Sequence, residues 1–383
     1  MDILGQTSTQ LILFFILYGI TGVVPLIAAL YLLLRRSNAI APSVTPPVRL
    51  RRWTASFFAV ASLAHVWWLL FYIYSSDQNY IGSMLLAMVD CVLLFATFAG
   101  MLYAMLQDRR RPVWPTLVSM IPFVALGGAY LAYPSSLLEQ ITAGYLLLLG
   151  LLFIIHMIYA IRQYGRWLND NYADLENKKV WLSQMVSLVC MLLFILYVFA
   201  EDMVFLWFMH IVELVLVGLL LWRVETLPRL SHLPLAVRDG SEYSQEQEQA
   251  DERATLLSNR RGIGGEAFDL AHIDQLLKEH CIATQLYLQH DLTLQQLAQA
   301  VGTNRYYLSQ YFSRQSITYN TYINNLRINH FISCYQEAAA SGQPIGAQQL
   351  AQESGFRSYS TFSRAFMQRT GQSVTAWMRD TAE

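Results

Sequence analysis

Residues 346–366 read "GAQQLAQESGFRSYSTFSRAF", and an earlier stretch, residues 292–312, reads "LTLQQLAQAVGTNRYYLSQYF". In both stretches an alanine is followed four residues later by a glycine, which suits two helices that cross closely at a short turn. The alanine leaves room for the crossing, and the glycine can adopt the positive φ that such a turn needs. The pairs are Ala298 with Gly302 and Ala351 with Gly355. The repeat predicts two helix-turn-helix units near the end of the chain.

The second helix of each unit is predicted to bury one face. After each glycine the sequence contains two apolar residues that are four positions apart. This spacing places the two residues on one side of a helix. The pairs are Leu308 with Phe312 and Phe362 with Phe366. The second pair begins one residue later relative to its glycine, so we expect the second turn to be one residue longer. Thr293 and Gln296 have the spacing of a capping box that opens the first unit.

The opposite face of each second helix carries hydroxyl, amide, phenol and guanidinium groups and no carboxylate. Such groups hydrogen-bond to phosphates and to base edges. The two faces consist of Asn304, Arg305, Tyr306, Ser309, Gln310, Ser313 and Arg314, and of Arg357, Ser358, Tyr359, Ser360, Thr361, Ser363, Arg364 and Gln368. A solvated surface is the alternative for one such helix, but the repetition favours DNA contact. Residues 266–383 contain eight Lys or Arg and nine Asp or Glu, so any attraction to DNA must come from local clustering of arginines in the second unit.

A family resemblance lies in the second unit and the residues after it. The motif consists of Gly355, Phe356, Ser358, Ser360, Phe362, Arg364, Phe366, Gly371, Ser373, Trp377 and Arg379. It resembles the C-terminal signature of AraC/XylS-type bacterial transcription regulators. Upstream, "LAQAVGTNRYYLSQYF" (297–312) and "YINNLRINHF" (322–331) resemble the first helix-turn-helix and the connecting helix of that family. One departure is Val374, where the family usually has a proline that starts the last helix; we expect the change to loosen a helix cap without touching the DNA face.

The resemblance covers about residues 285–380 and implies a seven-helix domain whose two recognition helices enter successive major-groove faces on one side of DNA. The residues that it implies for base readout are Tyr306, Ser309 and Gln310 in the first unit and Tyr359, Ser360, Thr361 and Arg364 in the second. Arg305 and Arg357 are the candidates for phosphate contacts. The expected partners are double-stranded promoter DNA and RNA polymerase. Soluble members of the family carry a sugar-binding barrel before this domain, whereas this chain resembles the membrane-integrated variants.

The first part of the chain is apolar enough to lie in a membrane. Hydrophobic residues make up 55% of the 383 residues and charged residues only 14%. The apolar runs are residues 11–34, 53–75, 81–106, 113–133, 141–161, 180–200 and 203–222. Each run has the length of about 20 residues that a helix needs to cross the hydrocarbon layer. We therefore predict an all-α protein, with a seven-helix transmembrane bundle followed by an α-helical domain with two helix-turn-helix units.

The basic residues between these runs predict how the chain is oriented. Lys and Arg occur between the first and second, third and fourth, and fifth and sixth runs, and the alternate connections contain none. Because cytoplasmic loops carry an excess of basic residues, we expect the N-terminus outside and the C-terminal domain in the cytoplasm of a bacterium, with the bundle in the inner membrane. Only Glu201 and Asp202 separate the last two runs. Without a turn there, the C-terminal domain would face the outside.

Ionisable residues inside the predicted spans are candidates for sensing a ligand or ion, because burying them in lipid is costly. These candidates are Asp90, His156, His210 and Glu213, and His65 is a further polar residue in the second span. The alternative is structural, since His210 and Glu213 have a spacing that lets them pair on one helix face. The four cysteines show no metal-ligand spacing. No metal site and no cofactor are predicted.

The predicted domains are residues 1–222 in the membrane, a cytoplasmic linker at 223–265, and the DNA-binding domain at 266–383. They indicate a membrane-bound one-component transcription regulator that binds promoter DNA sequence-specifically and is gated by a signal at the membrane, with a homodimer and an unidentified signal ligand as further expected partners. The alternative is a membrane receptor or transporter whose cytoplasmic tail binds a protein partner. An enzyme is not expected, since the spans contain neither HExxH nor GxSxG.

Overall fold

The computed structural model describes residues 8–35, 37–74, 80–176, 178–197, 203–230, 270–341 and 346–382. The chain folds into two compact units, and each is described by itself. The first consists of Met1–Gly165 and Asn177–Leu230, and the second of Arg166–Glu176 and Ser231–Glu383. Most of the predicted linker, residues 231–265, lies outside the described residues. The regular secondary structure of the described residues is helical, with one isolated β-bridge and no strand.

The first unit is a set of apolar helices, the longest of which continues at its end into the second unit. They are α1 (Ser8–Leu34), α2 (Val48–Tyr74), α3 (Tyr80–Met105), α4 (Trp114–Val118), α5 (Ile121–Ala132), α6 (Ser136–Asn171), α7 (Trp181–Tyr197) and α8 (Met203–Thr226). Six spans are long and apolar enough to cross a membrane, and the run predicted at 180–200 forms the shorter apolar helix α7. The predicted all-α fold with an apolar helical bundle is therefore confirmed, with a seventh member that is shorter than the rest.

The span predicted at 113–133 is broken into α4 and α5. Pro115 and Pro122 each lie in the first turn of their helix, where the missing N–H of proline costs no intrahelical hydrogen bond. Pro122 cannot donate to the preceding turn, so α4 ends at Val118 and a new helix begins two residues after Ser119. The apolar composition alone did not predict this break.

The second unit contains the helices of the two predicted repeats. They are α9 (Leu270–Leu277), α10 (Leu294–Val301), α11 (Arg305–Arg314), α12 (Tyr319–Ala340), α13 (Ala347–Glu353), α14 (Tyr359–Thr370) and α15 (Val374–Ala382). Short π-helical and 3₁₀ turns follow α9 at Lys278–Ile282 and Leu286–Leu288. A helix-rich domain with two helix-turn-helix units, α10–α11 and α13–α14, is thus confirmed.

Helix α12 joins two separate hydrophobic cores. Tyr319 and Ile323, in its first half, are buried in the core of the first repeat. Ile328 and Phe331, in its second half, are buried in the core of the second repeat. One 22-residue helix therefore fixes the spacing of the two repeats, because each half is packed into a different core.

A short stretch of the chain that begins in the last turns of α6 and ends before α7 belongs to the second unit. We call Arg166–Glu176 the inserted segment. The backbone N–H of Ala173 donates to the carbonyl of Leu292 at 3.1 Å, and an antiparallel bridge joins Tyr172 to Thr293. Ala173 is fully buried in the core of the first repeat. This placement had no counterpart among the domains predicted from sequence.

Candidate nucleic-acid interface

The first repeat is held by local interactions that its sequence specifies. Thr293 caps α10, and the reciprocal bonds between Thr293 and Gln296 form the predicted capping box. Gly302 ends the helix with a φ of 77°, a left-handed conformation that favours glycine. Ala298 is buried below the turn. Asn304 then caps α11 by accepting a hydrogen bond from the N–H of Tyr307 at 2.9 Å.

Helix α11 buries the predicted apolar pair and exposes the opposite face. Leu308 and Phe312 lie in the first core. Arg305, Tyr306 and Ser309 are exposed, and Gln310 is half-buried. The Gln310 amide donates to the Tyr306 hydroxyl at 2.6 Å. The structure therefore places these four predicted contact residues on one helix, and a hydrogen bond joins two of them.

The turn of the second repeat is longer by one residue, as its sequence predicts. Gly302 precedes its helix cap Asn304 by two positions, whereas Gly355 precedes the cap Ser358 by three. Gly355 has a φ of 86°. The Ser358 side chain accepts a hydrogen bond from the N–H of Thr361 at 3.3 Å and so starts α14.

Helix α14 repeats the arrangement of α11. Phe362 and Phe366 are fully buried in the second core. Ser360 and Arg364 are exposed, while Thr361 is half-buried. The half-buried Tyr359 ring packs on the Phe362 ring, with centroids 5.7 Å apart, so part of its surface stabilises the core. The predicted contact residues again share one helix.

The arginines that cluster in the sequence of the second repeat have different surroundings. Arg357 is paired with Asp291 at 2.7 Å, and both side chains are about half exposed. Arg369 donates to the carbonyl of Asn325 at 3.0 Å, which ties α14 to α12. Arg364 is exposed and has no ion pair within the part of the chain that the structure describes. Arg364 is therefore the arginine of α14 that is most available to a ligand.

The departure at Val374 lies next to a polar helix cap. Val374 begins α15 and is buried in the second core. The hydroxyl of Ser373 accepts a hydrogen bond from the N–H of Ala376 at 3.2 Å. The helix thus keeps a polar cap at Ser373 and buries the valine side chain, and a cap looser than one with proline stays a prediction.

Two residues that the sequence analysis did not single out lie at the centre of the second unit. Arg327 and Asp174 are both buried and form an ion pair at 2.9 Å. Arg327 follows Ile323 and precedes Phe331 at intervals of four along α12. An arginine within this apolar stripe is a signal that can be read from the sequence. The identity of its partner, Asp174, cannot be read from the sequence, because the two residues are 153 positions apart.

The predicted intramembrane residues belong to the first unit, but they do not form a single cluster. His210 and Glu213 lie with His65 in one cluster. Asp90 accepts a hydrogen bond from the indole of Trp68 at 2.5 Å. His156 lies elsewhere, with its ring edge-to-face against Tyr103 at 6.0 Å.

A family model described as a helix-turn-helix domain matches residues 297–380. Searches among curated proteins and among solved structures gave no significant match. The matched range begins inside α10 and ends inside α15, so it includes both repeats and the helix that connects them. Together with the two capped turns and the motif around α14, the match shows that the C-terminal domain of this chain is a helix-turn-helix DNA-binding domain of the AraC/XylS type.

Proposed function

We propose that this protein is a membrane-tethered transcription regulator that reads promoter DNA through α11 and α14. The observation that carries the proposal is the pair of capped helices with exposed, carboxylate-free faces, both packed on α12. A helix-turn-helix places its second helix in the major groove, with its first residues at the base edges. Two such helices on one rigid connector would contact two separate elements of one site.

In this proposal the residues have distinct roles. The base-reading side chains are Tyr306, Ser309, Gln310, Tyr359, Ser360, Thr361 and Arg364. Arg305 is the first residue of α11 and Arg357 lies two residues before α14; both contact phosphates, where positive charge and helix N-termini favour binding. The hydrogen bond between Gln310 and Tyr306 limits the rotamers of both, which lowers the entropy lost on binding.

The apolar helices of the first unit support membrane tethering. We propose that the N-terminus lies outside and the DNA-binding domain in the cytoplasm, where RNA polymerase and a second copy of the chain are its expected partners. A signal in the bundle would change how well the paired helices engage the promoter. The orientation is tested with two reporters fused after residue 383, one that works only in the cytoplasm and one that works only outside the membrane. We expect activity from the first reporter alone, and activity from the second would refute the orientation.

The proposal is tested by selecting DNA from a random library with the full-length protein in lipid nanodiscs. We expect a bipartite site whose two elements lie about one helical turn, 10–10.5 base pairs, apart. Binding should weaken steeply between about 50 and 200 mM salt, because neutralised phosphates release counterions. Recovery of no common sequence would contradict the proposal and favour a tail that binds a protein partner.

The full chain is needed for this selection. An excised fragment of residues 266–383 would lack Ala173, which fills the first core, and Asp174, which neutralises Arg327. Breaking a buried ion pair by removing one partner costs about 3–5 kcal/mol. A negative result with the fragment would therefore report a damaged fold and would not test DNA binding.

A further inference from the structure

Three side chains of metal-ligand type meet inside the first unit. His65 lies on α2, and His210 and Glu213 lie on α8. One ligand atom from each lies within 4.8 Å of the others, and His65 Nε2 is 3.5 Å from Glu213 Oε2. Ligand atoms around a tetrahedral ion with bonds of about 2.0–2.2 Å are about 3.4 Å apart. Small side-chain rotations would bring all three atoms onto one ion.

The ring of His65 is oriented as in a metal ligand. Its Nδ1 atom is 2.8 Å from the carbonyl oxygen of Ala61, and a carbonyl can only accept. Nδ1 therefore carries the proton, and Nε2 presents a lone pair toward Glu213. A hydrogen bond from the other ring nitrogen to a carbonyl or carboxylate is the usual support of a metal-bound histidine, since it fixes both tautomer and orientation.

The second histidine lacks a hydrogen bond that a buried polar group normally makes. His210 is only 8% exposed, and its Nε2 atom has no hydrogen-bond partner within the described residues. The rings of Phe14 and Tyr18, on α1, lie with centroids 5.6 Å from that of His210 and form an apolar wall. A buried nitrogen without a partner is costly, and coordination of an ion would satisfy it.

We propose that His65, His210 and Glu213 bind one divalent first-row metal ion such as Zn²⁺. Two imidazoles and one carboxylate form a ligand set that suits this class of ion, and three protein ligands leave a further coordination position open. In the proposed orientation the site lies in the half of the bundle that faces away from the cytoplasm. Metal binding stands on the geometry alone, and only its use as a signal rests on the proposed function.

The test is a Zn²⁺ titration of the full-length protein in nanodiscs after removal of metal with a chelator. We expect one ion per chain. Glu213→Gln and His210→Asn should each weaken binding by about 100-fold or more, because loss of even a supporting partner of a ligand costs about 10- to 100-fold. His156→Asn is the matched control, since it removes an imidazole of the same bundle outside the cluster, and it should bind as the wild type does.

Co²⁺ provides a second measurement that does not depend on stoichiometry. Its visible absorption should show nitrogen and oxygen coordination in the wild type and in His156→Asn, and should disappear in a His65→Asn, His210→Asn double variant that keeps its helical circular dichroism. A wild type that takes up no ion, or a double variant that binds Zn²⁺ unchanged, would overturn the proposal. The Zn²⁺ and Co²⁺ measurements use no DNA, so their results do not depend on the outcome of the DNA selection.

The inserted segment, Arg166–Glu176, contacts the rest of the second unit mainly through Asp174. The carboxylate of Asp174 pairs with Arg327 at 2.9 Å and accepts a hydrogen bond from the backbone N–H of Asp291 at 2.6 Å. The Asn320 amide donates to the carbonyls of Tyr172 and Ala173. The segment is therefore built into the folded second unit by buried apolar and polar contacts.

The inserted segment is also close to Arg305 and Arg357, the two arginines that are predicted to bind phosphates. Asp291, whose N–H donates to Asp174, holds Arg357 through its own carboxylate at 2.7 Å. Burial raises the pKa of the Tyr172 phenol to about 12, and the neighbouring Arg305 guanidinium opposes this rise. The inserted segment therefore lies beside an arginine of each repeat.

Arg327 extends the network through the unit. Its guanidinium donates to the carbonyls of Tyr287 and Gln289, both at 2.7 Å, and lies 5.6 Å from the ring centroid of Phe356 in the second repeat. With the carboxylate of Asp174, these contacts satisfy a charge that is costly to bury alone.

We infer that the inserted segment is the mechanical connection through which the membrane helices control the DNA-binding domain. It includes the last six residues of α6, and four residues separate it from α7, so a displacement of either helix would pull on Ala173 and Asp174. Withdrawal would leave Arg327 without its carboxylate and would release the loop that positions Arg357. This inference rests on the proposed function for its biological role.

Hydrogen exchange of the full-length protein in nanodiscs tests the connection without DNA. In Asp174→Asn we expect exchange at residues 172–176 and 286–292 to be faster by about 10-fold or more, because the opening that exposes these amides loses its ionic restraint. Asp170→Asn, which removes a carboxylate one turn earlier in α6, should exchange as the wild type does. Unchanged exchange in Asp174→Asn would overturn the inference, even if the selected DNA is bound normally.

Discussion

Replacing Arg364 by alanine is expected to lower the affinity of the full-length protein for its selected DNA site by about 5- to 150-fold, which corresponds to the 1–3 kcal/mol of a side chain that reads a base. Arg364 lies on the exposed face of α14 and has no ion pair within the described residues. Its charge is therefore available to the major groove. Removal of the Arg364 side chain should leave the fold unchanged, since the core residues of α14 are on the opposite face of the helix.

Arg379→Ala is the control for this variant. Arg379 is also exposed, on α15, and its nearest acid, Asp380, is 3.7 Å away. It carries the same charge but does not belong to the proposed base-reading face. Fluorescence anisotropy should show that Arg364→Ala loses its preference at one base position of the site, whereas Arg379→Ala keeps every preference. Equal preference profiles for Arg364→Ala and the wild type would refute the role of Arg364.

The sequence predicted those features that depend on neighbours along the chain. The capping box at Thr293, the positive φ of both turn glycines and the extra residue before Ser358 all follow from residues within a few positions of each other. Helix caps and turns obey such local rules. The faces of α11 and α14 follow from the same local periodicity, which is why the candidate contact residues fall together on each helix.

The sequence did not predict contacts between distant parts of the chain. Asp174 and Arg327 are separated by 153 positions, and periodicity says nothing about which loop enters which core. The grouping of His65 with His210 and Glu213 likewise depends on how α2 and α8 pack. Side-chain patterns predict that a polar residue on an apolar stripe needs a partner, but only the tertiary fold identifies that partner.

The two turn glycines provide the prediction with the largest expected effect on stability. Both have a positive φ, but their surroundings differ. A Cβ atom on Gly302 would have no other atom within 4 Å, whereas a Cβ on Gly355 would lie 2.7 Å from the carbonyl oxygen and 2.8 Å from the Cα of Leu288. Those atoms belong to the backbone, so they cannot move aside as the end of a side chain can.

Gly302→Ala is therefore expected to cost only the left-handed backbone penalty, about 1–2 kcal/mol. Gly355→Ala should add an overpacking cost of about 1–3 kcal/mol, because the Leu288 backbone must shift. That backbone is fixed on either side, since the carbonyls of Tyr287 and Gln289 accept hydrogen bonds from Arg327. The second substitution should thus disturb the Arg327 network as well as the turn.

Pulse proteolysis of the full-length protein in nanodiscs across a urea series would measure both variants. With a slope of about 2 kcal/mol/M, the midpoint for the C-terminal domain should fall by about 0.5–1 M in Gly302→Ala and by about 1–2.5 M in Gly355→Ala. The comparison is internal, since each substitution adds one methyl group at the same position of a repeat. Equal midpoints would mean that Leu288 does not approach the second turn as closely as the structure shows, and that the two repeats are joined less rigidly than the proposed two-element readout requires.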